Sequence, residues 1–255
     1  MTSPVLLIDI QDDVAVLEIN RPDKRNAMND ELLTAIGAFF ANPPEQVRVV
    51  ILTGRGGHYC AGLDLSEHVS RSAEGNLYHS RKWHAIMDNI QFGGLPVISL
   101  MQGAVIGGGL ELATATHVRI AAGPVQFQLP EGRRGIFVGG GATVRVGGII
   151  GADRMTEMML TARIYDAEEG VRLGLAHYAT DAEDGMALAQ KLAGKIARNA
   201  PMSNYLMIQA VSRIQNMPFN DGLFAESLAA ALSQTTPDAE EGLRAFLEKR
   251  APKFR

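Results

Sequence analysis

Short apolar runs alternate along the first half of the chain with longer segments of helical periodicity. The runs "VLLIDI" and "VAVLEIN" are separated only by "QDD", which predicts a β-hairpin. Buried strands are predicted at residues 48–54 and 96–101, and helices at 30–40 and 73–92. This alternation is typical of an α/β fold, in which helices cover a sheet.

The later segments are less regular. "HVRIAA" and "VQFQL" are predicted to form a further strand pair, and a short strand is predicted near "HYAT". Helical patterns predominate from about Arg154 onward, and "MSNYLMIQAVSRI" and "GLFAESLAAALSQ" are amphipathic or nearly all apolar. Because apolar helix faces are buried in folded proteins, we expect these helices to pack against the core or against another subunit.

Charge and cysteine content argue against several classes of protein. The 255 residues carry a formal net charge of −4, so no broad basic surface is expected to attract nucleic acid or anionic lipid. The single cysteine, Cys60, permits no intrachain disulfide and is interpreted as a small packing residue in a reducing compartment. The N-terminus lacks the basic start of a signal peptide, so the predicted location is cytoplasmic.

An uncharged stretch, residues 89–110, has the length of a membrane span. It contains Pro96 and six glycines, which favour a buried strand followed by a turn. No membrane association is therefore predicted.

Three consecutive glycines, Gly107–Gly109, follow that strand, and Glu111 comes two residues later. Glycine costs about 1 kcal/mol relative to alanine inside a helix, so the cluster needs a reason. At a helix N-terminus, bare glycines let a ligand oxygen approach unpaired N–H groups, as in phosphate binding or oxyanion stabilisation. The absence of a Walker or G-x-G-x-x-G pattern and the nearby carboxylate disfavour phosphate. Tight helix–strand packing beside an ordinary glutamate remains the alternative.

Two further loops extend this pattern. "TGRGGHYCAGLDL" at residues 53–65 also follows a buried strand and contains small residues that expose backbone amides. "FQLPEGRRGIFVGGG" at 127–141 supplies a second carboxylate, Glu131. Two amide donors and two carboxylates beside one carbonyl would allow paired acid–base chemistry.

Together, "GRGGHYCAGLDL", "GAVIGGGLELA" and "LPEGRRGIFVGGGATVRV" resemble the enoyl-CoA hydratase/isomerase, or crotonase, superfamily, and "RPDKRNAMN" and "FLEKRAPKF" agree with it. The resemblance runs nearly end to end. It implies a spiral of β-β-α units with the active site in residues 1–195, and a C-terminal helical region in 196–255 that builds trimers, often paired into hexamers. It also implies acyl-CoA thioester substrates and neither a metal nor a redox cofactor.

By the family's pattern, Leu63 and Gly108 supply the oxyanion-hole N–H groups, and Glu111 and Glu131 are the catalytic carboxylates. The residues that the resemblance assigns to coenzyme A are Lys24, Arg25, Ala27, Ala61, Asp64 and Lys249. The presence of both glutamates favours hydration of a 2-enoyl-CoA, with Glu111 activating water and Glu131 protonating the α-carbon. A double-bond isomerase, a hydratase-lyase or hydrolase, and a non-catalytic acyl-CoA-binding subunit are the alternatives.

The sequence departs from the family where Arg133 and Arg134 follow Glu131, since apolar residues are common there. These arginines either line the pocket and bind an anionic acyl group or are surface charges. A guanidinium facing Glu131 would favour its ionised form and oppose an acid role. Trp83 either stacks on an aromatic acyl group or belongs to the core. The six histidines lack metal-ligand spacing, so no metal site is predicted.

Overall fold

The computed structural model describes residues 4–67 and 70–254. In these residues the chain forms a six-stranded sheet whose strands lie in sequence order. The strands are β1 (Leu6–Gln11), β2 (Val14–Ile19), β3 (Val49–Gly54), β4 (Val97–Ile106), β5 (Val118–Gln128) and β6 (Tyr178–Thr180). The first two form the predicted antiparallel hairpin, and every other neighbouring pair is parallel.

Helices cover both faces of this sheet. They are α1 (Asp30–Ala41), α2 (Ala73–Phe92), α3 (Gly108–Thr114), α4 (Ala142–Ile150), α5 (Ala152–Thr161), α6 (Ala167–Leu173), α7 (Gly185–Ala197), α8 (Pro201–Ile214), α9 (Phe219–Gln234) and α10 (Pro237–Leu247). Short 3₁₀ turns lie in the loops between them. The predicted α/β class is confirmed.

Strand β3 shows why the sheet is buried on both faces. Val50 and Leu52 belong to the larger core, whereas Val49 and Ile51 pack in a second core with Ala193 of α7. Successive side chains point to opposite faces of a strand, so an uninterrupted apolar run fits a strand covered on both sides.

The helix predictions at 30–40 and 73–92 are confirmed. Asn29 caps α1, and its side chain accepts a hydrogen bond from the Leu32 N–H at 3.0 Å. The predicted strand pair over "HVRIAA" and "VQFQL" is wrong, because these residues form the single strand β5. Gly123, at φ +69°, lies where the pairing of β5 with β4 shifts register, so the glycine bends one strand and does not end it.

The last three helices carry many exposed apolar side chains. Helix α8 packs against α9 and α2. Phe219 is 79% exposed, and Phe246 and Leu247 are each 80% exposed. The predicted boundary at residue 195 falls within α7, and the domain division stays a prediction. In the part of the chain that the structure describes, no helix is long and apolar enough to cross a bilayer.

Candidate active site

Strands β3, β4 and β5 lead at their carboxyl ends into the three segments that contain the predicted site residues. Parallel strands bring these ends to one edge of the sheet, where ligands commonly bind in open α/β folds. A cavity of about 420 Å³ is lined by Leu63, Gly108, Glu111 and Glu131 together. The four residues that the family pattern selects therefore surround one space.

The turn between β4 and α3 depends on Gly107. Its φ of +55° and ψ of −120° are rarely adopted by residues with a side chain. A Cβ atom at this position would lie 2.7 Å from Oε1 of Glu131. Glycine is thus required both by the backbone conformation and by the space that Glu131 occupies.

Gly62 places the first glycine loop against the second. It has a φ of +92°, and a Cβ atom on it would lie 3.2 Å from the Gly108 nitrogen. Met28 holds the adjacent backbone, because it donates to Gly62 O at 2.7 Å and accepts from the Asp64 N–H at 2.9 Å. Within the described part of the chain, no protein group accepts a hydrogen bond from the Leu63 or Gly108 N–H. Two unpaired amide donors from separate loops therefore line the cavity.

Glu111 lies in the first turn of α3 and is 3% exposed. Its Oε1 accepts hydrogen bonds from the Gly140 N–H at 2.7 Å and the Ala142 N–H at 3.1 Å. Both amides lie at the N-terminus of α4, so the carboxylate interacts with a second helix as well as its own. Burial raises the pKa of Glu111, against the lowering effects of these hydrogen bonds and of the Arg145 charge.

Glu131 begins the 3₁₀ helix Glu131–Arg134 and is 8% exposed. Among the described residues, no hydrogen-bond partner reaches its buried Oε2 atom. Burial raises the pKa of Glu131 to about 7, and the Glu111 charge acts in the same direction. The residue's own backbone N–H and the Arg134 charge lower this pKa without offsetting burial. A carboxyl group with this pKa exchanges its proton near neutral pH.

The two carboxyl groups therefore differ in their surroundings. Glu111 is held by two amides, whereas Glu131 keeps one oxygen without a protein partner. Such a pair can accept a proton at one position and donate a proton at another. The unpaired N–H groups of Leu63 and Gly108 can stabilise negative charge on an oxygen between them.

A family model described as "Enoyl-CoA hydratase/isomerase" matches residues 9–255. The chain belongs to this family. It is 33% identical over 253 residues to the short-chain-enoyl-CoA hydratase of Clostridium acetobutylicum, covering 96% of this chain and 95% of that one. It is 30% identical over 252 residues to the 2,3-dehydroadipyl-CoA hydratase of Escherichia coli, covering 98% of each chain.

Solved structures of this hydratase/isomerase family share the fold. A crystal structure described as that of a "putative enoyl-CoA hydratase" from Rhodopseudomonas palustris matches with a TM-score of 0.93 and 44% identity, covering 98% of this chain and 97% of that one. The family fold expected from the sequence is thereby confirmed.

The residues assigned to coenzyme A from the family pattern lie in several places. Ala61 lines the cavity. Lys24 ends a short 3₁₀ turn, and its Nζ donates to Ser66 Oγ at 3.0 Å. Arg25 has a left-handed backbone with φ +47°, and the buried Ala27 follows two residues later. A contact between these residues and coenzyme A stays a prediction.

Asp64, another of these residues, is engaged within the protein. Its carboxylate pairs with Arg21 at 2.9 Å and accepts from the Ser66 N–H at 3.0 Å. Burial raises the pKa of Asp64, but bonds from Ser66 and Arg21 outweigh burial and lower the pKa to about 2. Lys249 follows α10 and does not appear in the cavity lining, so its proposed contact with coenzyme A also stays a prediction.

Arg133 and Arg134, which the sequence does not distinguish, have different surroundings in the structure. Arg134 lines the cavity, whereas Arg133 donates through Nη2 to Thr161 O at 3.2 Å and lies outside the lining. Trp83 is 5% exposed and both belongs to the core and lines the cavity. Cys60 is fully buried, as its packing interpretation requires, and burial raises its pKa to about 12.

Sequence reasoning missed the amide donors that hold Glu111. Gly140 and Ala142 stand at the second run of three glycines, Gly139–Gly141, which opens α4 as Gly107–Gly109 opens α3. The repeated pattern of glycines before an apolar helix was the available signal. It indicates a helix N-terminus but does not say which carboxylate it meets.

Proposed function

We propose that the protein is an enoyl-CoA hydratase that adds water across the double bond of a 2-enoyl-CoA. The observation that carries the proposal is the placement of two buried carboxyl groups, Glu111 and Glu131, on a cavity that two unpaired amides also line. The names of relatives at 30% and 33% identity support the same reaction class.

In the proposed reaction, the thioester oxygen accepts hydrogen bonds from the Leu63 and Gly108 N–H groups. Water attacks the β-carbon, and the π-electron pair moves through the α-carbon to give an enolate on that oxygen. Each preorganised donor of this kind contributes about 3 kcal/mol to stabilising such charge. The enolate then collapses as the α-carbon takes a proton, giving a 3-hydroxyacyl-CoA.

We assign the two proton transfers by the surroundings of each carboxyl group. Glu111 accepts the proton of the attacking water, because two N–H groups and the Arg145 charge oppose the effect of burial, which raises its pKa, whereas Oε2 of Glu131 has no such donor in the described chain. Glu131 donates to the α-carbon, because burial raises its pKa to about 7 and keeps a protonated fraction near neutral pH. After one turnover Glu111 is protonated and Glu131 is ionised. Proton exchange with solvent returns both groups to their starting states.

The test is the loss of conjugated enoyl-thioester absorbance when the protein is added to crotonyl-CoA. Glu111→Gln and Glu131→Gln should each lower kcat by about 100-fold or more, since each removes one proton transfer. Conversion of 3-enoyl-CoA without hydration of 2-enoyl-CoA would instead identify an isomerase. Thermal stabilisation by CoA esters without turnover would identify a binding protein.

The proposed reaction needs no redox cofactor, because addition of water involves no net oxidation or reduction, and it needs no metal, because the two amides stabilise the enolate. Coenzyme A is part of the substrate. We further propose a homotrimer, or a hexamer of two trimers, built through α8–α10. The exposed Phe224, Phe246 and Leu247 support this, because apolar side chains of this size favour burial against a partner. Light scattering of the full chain measures the assembly. A cytoplasmic location stays a prediction.

A further inference from the structure

The cavity contains one permanently charged cation among its described lining residues. That residue is Arg134, the one arginine among the described lining residues. The other basic residue of the lining is His79, and its Nε2 lies 3.0 Å from a carboxylate oxygen of Asp30. Arg134 is therefore the basic residue of the described lining whose guanidinium has no ion-pair partner in the described chain.

The Arg134 guanidinium has no hydrogen bond or ion pair within the described part of the protein, in contrast to that of its neighbour Arg133, which donates to Thr161 O. Water satisfies an exposed guanidinium while the cavity is empty. When an acyl chain displaces that water, the guanidinium loses hydrogen bonds unless the ligand replaces them. A neutral hydrocarbon tail cannot replace them, whereas a carboxylate can accept two from the same fork.

Arg134 lies close to Glu131 along the cavity wall. Glu131 and Arg134 are the first and last residues of one 3₁₀ helix, in which residues three apart lie on the same side at a rise of about 6 Å. Ile136 and Val138 continue the wall with apolar surface. The wall thus combines surface for a hydrocarbon chain with a cation about one helical turn from Glu131.

We propose that the acyl group bound here carries a carboxylate at the end distant from the thioester, and that Arg134 pairs with it. The inference rests on the proposed function, since it concerns the acyl group of the same reaction. It assigns the substrate class as enoyl-CoA esters of dicarboxylic acids, and Arg134 as the residue that sets this preference.

The pairing also affects the chemistry at Glu131. The Arg134 charge lowers the pKa of Glu131, while the Glu111 charge raises it. A ligand carboxylate on Arg134 offsets the guanidinium charge, so it favours the protonated form of Glu131. The substrate that fits Arg134 is thus the one that best retains the proton required at the α-carbon.

The experiment compares trans-hex-2-enedioyl-CoA with trans-hex-2-enoyl-CoA, which differ in a terminal carboxylate or methyl group. We expect wild-type kcat/KM to favour the enedioyl ester, and Arg134→Gln to reduce that ratio by about 10-fold to 100-fold. Arg133→Gln is the matched control, because it removes the adjacent charge outside the cavity and should keep the ratio. Equal ratios in wild type and Arg134→Gln would overturn the inference.

A binding measurement separates this inference from the hydratase proposal. Calorimetric titration with the saturated esters hexanedioyl-CoA and hexanoyl-CoA requires no turnover. Tighter binding of the dicarboxylic ester that is lost in Arg134→Gln supports the inference even if neither unsaturated ester is hydrated. Hydration of both unsaturated esters with no preference for the carboxylate in kcat/KM or binding refutes the inference and leaves the hydratase proposal standing.

Discussion

The Gly140 N–H donates a hydrogen bond to Oε1 of Glu111 across 2.7 Å, joining two glycine-rich turns that are 29 residues apart in sequence. Ala142 adds a second bond at 3.1 Å. The backbone at Gly140 and Ala142 therefore fixes the position of Glu111, the proposed base. The turn that opens α4 thus completes the site that the turn before α3 begins.

This relationship predicts the effect of Gly140→Ala. The added Cβ would contact the Glu111 carboxylate and lie 2.9 Å from Trp83 Cε3, so the carboxylate must move. We expect kcat for hydration to fall by about 100-fold, as for a misplaced general base, with a smaller change in KM.

The control for Gly140→Ala is Gly148→Ala in α4, the helix that Gly140 precedes, where a Cβ atom has no neighbour within 4 Å. It should retain activity and gain slightly in stability, because alanine favours the helix. Steady-state kinetics and thermal unfolding of both variants test the pair. Normal kcat in Gly140→Ala would contradict the proposed role of Glu111.

The contact between the two loops predicts a second effect, in Gly62→Ala. The new Cβ would lie 3.2 Å from the Gly108 nitrogen and 2.7 Å from Ile106 O, at a backbone φ of +92°. Because it disturbs the two amides proposed to hold the thioester oxygen, we expect kcat to fall by about 100-fold to 1,000-fold.

Backbone strain alone could also lower activity in Gly62→Ala, so the control must carry similar strain. Gly57→Ala provides it, since Gly57 has φ +78° and no atom within 4 Å of an added Cβ. Both variants should lose stability, and only Gly62→Ala should lose most of its kcat. Equal kinetics in the two variants would remove the steric explanation.

Some elements of the fold and the site can be predicted from the sequence alone. The periodicity of residues 73–92 predicts α2 at its observed bounds, because one apolar face is a local signal. Glu111 and Glu131 can be located because each follows a strand within a family motif. Gly123 shows the limit, since a glycine that breaks a strand and one that bends it look alike in sequence.

Other features of the site depend on tertiary packing, which cannot be predicted from local sequence patterns. Arg133 and Arg134 are adjacent and chemically identical, yet one contacts Thr161 O and the other lines the cavity. The orientation of the 3₁₀ helix determines which of the two arginines lines the cavity, and no local sequence pattern indicates that orientation. The bond from Gly140 to Glu111 likewise requires two distant turns to meet.

The raised pKa of Glu131 predicts how stability changes with pH. The folded protein holds this proton up to about pH 7, whereas an ordinary glutamate loses it near 4.5. Between these values the unfolded chain binds fewer protons than the folded one, so the Glu131 contribution to stability falls as pH rises. Glu131→Gln removes this dependence and should gain up to about 3 kcal/mol relative to wild type across this window.

Denaturant unfolding of wild type and Glu131→Gln between about pH 5 and about pH 8 measures the difference. Glu45→Gln, which removes an exposed carboxylate, is the control for loss of one negative charge. A wild-type protein whose stability relative to Glu131→Gln increases with pH would reverse the sign of the predicted effect. That result would mean that the ionised form of Glu131 is favoured on folding.

The ion pair between Asp64 and Arg21 predicts that Asp64 acts on the loop that carries Leu63. Asp64 is 5% exposed, and its carboxylate binds Arg21 at 2.9 Å and Ser66 Oγ at 2.6 Å. Asp64→Asn removes the buried carboxylate charge that pairs with the Arg21 guanidinium. We expect a loss of about 2 kcal/mol in the free energy of unfolding.

Asp30→Asn is the contrasting variant, because Asp30 contacts Arg71 at 3.1 Å and His79 at 3.0 Å while its own side chain is 57% exposed. An exposed pair contributes less than about 1 kcal/mol, so this variant should unfold near wild type. Unfolding and the KM for CoA esters should be measured together. A stable Asp64→Asn protein with a raised KM would make Asp64 a coenzyme A contact, as the family pattern implies. Lost stability with an unchanged KM would instead show that Asp64 stabilises the fold through Arg21 and Ser66 and does not contact coenzyme A.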